Sequence, residues 1–167
     1  MSTHIQHDSA QHLWSLIKDI RFAMLTTQHS NGHLHAWPMT VQNKTLDEGR
    51  LWFFMSRRGE ALHELMAAPS VGIAFADPGK DTYVSLSTVA SLVNKPEKVR
   101  ELWTKMDDAW FKGGAEDADL ALVEATIIHG HYWDVKESKL TQLALMAKAA
   151  LTGDQPPKLG ESGEVRF

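Results

Sequence analysis

The sequence predicts a mainly β fold: an antiparallel barrel with helices inserted between its hairpins. Three observations lead there. Short runs rich in Val, Phe, Trp, Thr and Tyr recur between turn-forming residues, as half-buried strands do. His29-Ser30-Asn31-Gly32 and Asp77-Pro78-Gly79-Lys80-Asp81 read as tight reversals joining neighbouring strands. Between the hairpins lie stretches whose apolar residues recur at helical offsets.

The elements follow in order. Leu13, Leu16, Ile17 and Ile20 make one stripe of a helix over Ser9–Ile20, capped by Asp8 or Ser9. Phe22–Gln28 and His33–Gln42 form a hairpin, in which Pro38 lacks a donor and predicts a bulge or an unpaired position. After a reversal over Asn43–Gly49 comes the aromatic strand Arg50–Met55. A helix over Glu60–Ala67 shows Leu62, Leu65 and Met66 on one side and stops at Pro69. Val71–Ala76 and Thr82–Val93 are the next strands. Lys95–Trp110 reads as a helix with Val99, Leu102, Trp103 and Met106 in its stripe, broken by Gly113-Gly114. Leu120–Asp134 returns to strand composition, and Ser138 starts a final helix. The 167 residues are read as one domain over 1–152 and an extended C-terminal tail over 153–167.

Composition narrows the chemistry. Cysteine is absent, which excludes disulfides, thiolate metal sites and a cysteine nucleophile. Lys plus Arg number 17 against 21 Asp plus Glu, a formal charge of −4 that would repel nucleic acid. The N-terminal segment lacks the apolar core of a secretion signal and no later run is long enough to span a bilayer, so a cytoplasmic protein without a membrane partner is expected.

His33 with His35, and His129 with His131, alternate along strands, and four imidazoles from paired strands could hold a transition metal. Neither pair completes a ligand set, so no metal is expected. Ser85, Ser87 and Thr88 lie in no nucleophile elbow. Asp107 and Asp108, adjacent on a helix, point in different directions and are read as solvated. The most informative segment is Leu51-Trp52-Phe53-Phe54-Met55-Ser56-Arg57-Arg58-Gly59-Glu60, where an aromatic strand runs into a basic turn and a helix start. Amides and guanidinium groups there suit a phosphate, and the aromatic strand suits a planar ring attached to it. The bland alternative is a polar turn before a surface helix.

The ordered set Phe22-Ala23-Met24-Leu25-Thr26-Thr27, Trp37-Pro38-Met39, Leu51-Trp52-Phe53-Phe54, Tyr83-Val84-Ser85-Leu86-Ser87, Leu102-Trp103, Ala109-Trp110-Phe111-Lys112-Gly113-Gly114, Tyr132-Trp133-Asp134 and Ser138-Lys139-Leu140 resembles the general stress protein branch of the pyridoxamine phosphate oxidase-like, flavin-binding split-barrel superfamily. The resemblance implies a six-stranded antiparallel split barrel and a homodimer with flavin mononucleotide (FMN), or the related FAD, where two subunits meet. It places Ser56 and Arg57 on the phosphate, with Arg58 as a second positive group. Phe54 and Met55 border the ring, Trp37, Met39 and Thr40 line the adjacent strand, and Trp110 or Phe111 from the other subunit closes the pocket. Three positions depart from the pattern. The family has an arginine where this chain has Trp37, and serine and lysine where Gly59 and Ala61 align, which implies weaker flavin affinity or a different ligand. The leading expectation is an FMN-binding general stress protein acting as a flavin-dependent oxidoreductase of unspecified substrate. The alternatives are a noncatalytic flavin-binding stress module and a split-barrel dimer that has lost its cofactor. Pyridoxamine phosphate oxidation itself does not follow from the resemblance.

Overall fold

A computed structural model of the protein describes residues 2–135, 139–153, 155 and 160–167. Its elements, in chain order, are α1 (Ser2–Ile17), β1 (Phe22–Gln28), β2 (Leu34–Thr40), β3 (Arg50–Ser56), α2 (Glu60–Ala67), β4 (Ser70–Asp77), β5 (Thr82–Val93), α3 (Pro96–Leu102), β6 (Leu120–Asp134), α4 (Lys139–Thr152) and β7 (Glu161–Arg166). Single 3₁₀ turns occupy Asp107–Ala109 and Gly114–Glu116.

The sheet runs β2-β1-β4-β5-β6-β3 with every neighbouring pair antiparallel, and β7 joins it by pairing with β6. The six strands of the path form the curled half-barrel of a split-barrel fold. Its two ends approach each other. Val41 bridges Phe53, and the Gln42 amide donates to the Trp52 carbonyl at 2.9 Å. Alternation along the strands turns Ala23, Leu25, Val71, Ile73, Phe75, Val84 and Leu86 inward, where they enclose Phe53 with Leu13 and Ile17 of α1. Strand β3 is buried on both faces: Phe53 and Met55 enter this core, while Trp52 and Phe54 enter a second cluster with Val99, Leu102, Phe111 and Leu122.

Several boundaries differ from those the periodicity predicts. Helix α1 begins at Ser2, so Asp8 and Ser9 lie inside it rather than capping it, and it ends at Ile17 because the chain tightens there, the Ile20 amide donating to the Ile17 carbonyl. Pro38 produces no bulge. Strand β2 is at the end of the sheet path, and Pro38 faces Met24 in unbroken register, the edge position a missing donor tolerates. Met66 is exposed, and Ala61 joins Leu62 and Leu65 on the buried side of α2. Helix α3 stops at Leu102 instead of reaching Trp110. The Asp107 carboxylate accepts from the Thr104 amide and hydroxyl, both at 2.8 Å, and from Gln42 at 3.1 Å, which starts a separate turn. Asp107 is therefore buried and Met106 exposed, the reverse of the helical reading. Part of the C-terminal tail, Glu161–Arg166, is extended but pairs along β6 and buries Val165. Ser138, Pro156 and Pro157 lie outside the described residues. Among the described residues no helix is long and apolar enough to cross a membrane.

Candidate functional site

The basic turn forms where β3 leaves the sheet. Ser56 is its last strand residue, paired with Leu120, and three residues later the chain turns at Gly59 into α2. A side chain missing from the sequence argument organises this turn. The Asp119 carboxylate accepts the Ser56 hydroxyl at 2.6 Å, the Arg58 side-chain Nε at 3.1 Å and the Arg58 amide at 3.3 Å, while the Arg57 amide donates to the Asp119 carbonyl at 2.7 Å. The Ser56 hydroxyl, and then Arg58, hold the Asp119 carboxyl below the usual carboxylate range. Two of the groups expected on a phosphate, Ser56 and Arg58, thus already embrace an internal anion. Arg57 is exposed, and among the described residues its guanidinium makes no ion pair. Gly59 supplies no side-chain cap to α2. Among the described residues no side chain caps the first turn of this helix, whose leading amides have no partner within the helix itself.

The expected ring-binding residues divide among three places. Phe54 is buried and stacks obliquely on Trp103 (5.4 Å between centroids), which in turn meets Phe111 at 6.3 Å. Trp110 points outward and is 80% exposed, whereas Phe111 is only 8% exposed. Phe111 therefore belongs to its own chain's second cluster, and the available aromatic of the pair is Trp110. Met55 lies in the main core, and Ala61 is buried on α2. On β2 the alternation sends Trp37 and Met39 inward and Thr40 outward, so the three do not share a face. The Trp37 Nε1 donates to the Thr27 hydroxyl at 2.8 Å.

That bond leads to a cluster with a different chemistry. The Thr27 hydroxyl donates to Glu64 Oε2 at 2.5 Å, while Glu64 Oε1 is 2.7 Å from His29 Nδ1 and 2.9 Å from His35 Nδ1. Glu60 Oε1 approaches His29 Nδ1 at 3.6 Å. The local sequence explains the convergence. His29 follows β1 in the reversal, His35 opposite Thr27 begins the inward face of β2, and Glu60 and Glu64 are one helical turn apart on α2. The Thr27 hydroxyl, assisted by His29 and His35, keeps the Glu64 carboxyl below its usual range despite burial.

The histidine pairs anticipated from alternation do not assemble as four, because β2 and β6 are not neighbours in the sheet. His33 is exposed in the turn. His129 and His131 do meet, with ring centroids 4.6 Å apart, beside Glu164 of β7. The Arg166 guanidinium at 3.0 Å holds the Glu164 carboxyl below its usual range.

The sequence model of a family described as pyridoxamine 5′-phosphate oxidase like matches residues 8–157. Among solved structures, a general stress protein 26 from a Jannaschia species is 26% identical with a TM-score of 0.75, covering 97% of this chain and 99% of that one. A general stress FMN/FAD binding protein from Xanthomonas citri is 30% identical with a TM-score of 0.68, covering 80% of this chain and 92% of that one. Protein bli-3 of Neurospora crassa is 23% identical over 162 residues, 92% of this chain and 77% of the relative.

Proposed function

This chain belongs to the pyridoxamine 5′-phosphate oxidase like family, and from that premise we propose that it is a flavin-binding general stress protein holding FMN where two copies meet. The observation that carries the reading is the exposed Arg57 guanidinium beside the uncapped first turn of α2. These groups fit a phosphate with a smaller donor set than the sequence pattern implies. Arg57 neutralises the anion, and Asp119 fixes the turn's shape through Ser56 and Arg58. In this reading Trp110, 80% exposed, projects from one copy to cover a ring bound mainly by the other. The outward side of the sheet supports a second copy as partner, because Phe22, Met24, Tyr83, Val89 and Trp133 are exposed there. When bound, flavin supplies hydride or electron transfer, and the chain's contribution is to orient the ring and limit water. No side chain is assigned as a catalytic acid or base.

The test is direct. Protein purified without added cofactor should show flavin absorption, and the released ligand should be identified as FMN or FAD. Light scattering should give twice the monomer mass. A second reading, a split-barrel dimer without cofactor, is favoured by Asp119 occupying the donors of Ser56 and Arg58 and by Trp37 at the family's arginine position. A colourless dimer that does not bind added FMN or FAD would select it.

A further inference from the structure

We propose that His29, His35, Glu60 and Glu64 form a binding site for one divalent first-row transition-metal ion, with Zn²⁺ as its probe. The site stands on geometry independent of the flavin reading. One ligand atom from each of the four residues lies within 4.8 Å of the others. The contacts of 2.7, 2.9 and 3.6 Å at its centre bracket the separation of about 3.0–3.4 Å that ligands bound roughly 2.0–2.1 Å from an ion impose on one another. Imidazole nitrogen with carboxylate oxygen suits Zn²⁺, Fe²⁺, Co²⁺ or Ni²⁺ better than Ca²⁺ or Mg²⁺, which prefer oxygen alone.

A second observation separates this cluster from a hydrogen-bonded surface patch. The His35 Nδ1 is shielded from solvent and has no hydrogen-bond partner, although Glu64 Oε1 is only 2.9 Å away. The contact is close but misdirected. An ion between the two atoms gives the nitrogen a partner and removes the misdirection. His29 Nδ1 and His35 Nδ1 converge on the same oxygen. As metal ligands both would present lone pairs there, leaving their Nε2 protons to face outward.

The supporting shell is already built. Glu64, 6% exposed, is held by the Thr27 hydroxyl on Oε2, which leaves Oε1 directed at the histidines, and Trp37 Nε1 fixes Thr27 from behind. A ligating carboxylate oriented by an outer hydrogen bond is what metal centres generally require. Trp37, which departs from the family's pattern toward flavin, thereby has a positioning role of its own. The histidine side chains are 34% and 37% exposed, so an ion can enter and keep a water or a small ligand in its outermost position.

Untagged protein, dialysed against EDTA and titrated with Zn²⁺ by calorimetry, should take up one tightly held ion per chain with a rise in melting temperature. The His29→Ala/His35→Ala double variant should lose this equivalent while retaining the wild-type circular dichroism spectrum, since both rings are part-exposed. Thr27→Val removes only the hydroxyl behind Glu64 and should weaken binding by roughly ten- to a hundredfold. Co²⁺ in place of Zn²⁺ should give visible ligand-field absorption that the double variant lacks. His33→Ala and His129→Ala/His131→Ala should leave the first equivalent unchanged. No stoichiometric Zn²⁺ uptake by the wild-type protein, or undiminished affinity in the His29/His35 double variant, would overturn the site. Flavin content is read separately by absorbance, so failure here and failure of the flavin proposal are distinguishable.

Discussion

Replacing Arg57 and Arg58 one at a time asks which guanidinium would meet the anionic tail of the proposed flavin. Arg58 is committed: its Nε lies 3.1 Å from Asp119, whose carboxylate also holds Ser56. Arg57 engages Asp119 only through its backbone amide, leaving the side chain available. Arg57→Ala should therefore remove one charge-assisted hydrogen bond to phosphate, worth about 1.5–3 kcal/mol. This corresponds to roughly ten- to a hundredfold in dissociation constant, and exposure of the turn places it near the lower end. Arg58→Ala leaves the Ser56 bond and the backbone contacts to Asp119 intact, so affinity should change less than about threefold by the same conversion. FMN titration of stripped protein, followed by fluorescence quenching at two ionic strengths, measures both. The Arg57 loss should shrink as salt rises, because salt screens exposed charge. Equal losses for the two variants, or a larger loss for Arg58, would refute the division of roles derived from Asp119.

Three further outcomes are expected. Phe53→Ala, at a fully buried position beside the Val41 bridge, should cost about 3–5 kcal/mol in urea unfolding; a loss below 1 kcal/mol would contradict a packed barrel closure. The Asp119 carboxyl titrates below its usual range when folded, so the stabilisation it brings is present above about pH 4, its ordinary unfolded value, and disappears as pH falls through the lower folded value. Ser56→Ala should accordingly be less stable than wild type at pH 7 and approach it toward pH 2; a stability gap independent of pH would exclude this linkage. Deleting residues 161–167 exposes the β6 edge and removes buried Val165, so it should lower the melting temperature and promote aggregation, as monitored by light scattering.

Much of the fold was readable because its information is local. The hairpin of β1 and β2, the helix over Glu60–Ala67 and the two strands around Asp77–Asp81 are set by residue alternation and by turn chemistry acting within a few residues. Helix α3 is shorter than its periodicity predicts: Val99, Leu102, Trp103 and Met106 keep helical spacing, while the buried Asp107 carboxylate that begins the next turn draws on Gln42, 65 residues away. The sheet role of Glu161–Arg166 was equally hidden, since pairing with β6 depends on an edge that only the assembled sheet presents. The candidate sites follow the same division. A basic turn after an aromatic strand could be recognised from adjacent residues, as could the spacing of Glu60 and Glu64 on one helical face. By themselves these patterns specify which groups are available. That Asp119 occupies two of the turn's donors, and that His35 meets His29 and Glu64 instead of joining His33, His129 and His131, was decided by tertiary packing. Hydrogen bonds and charges act over a few ångströms in space, and folding brings into that range residues that the chain keeps dozens of positions apart.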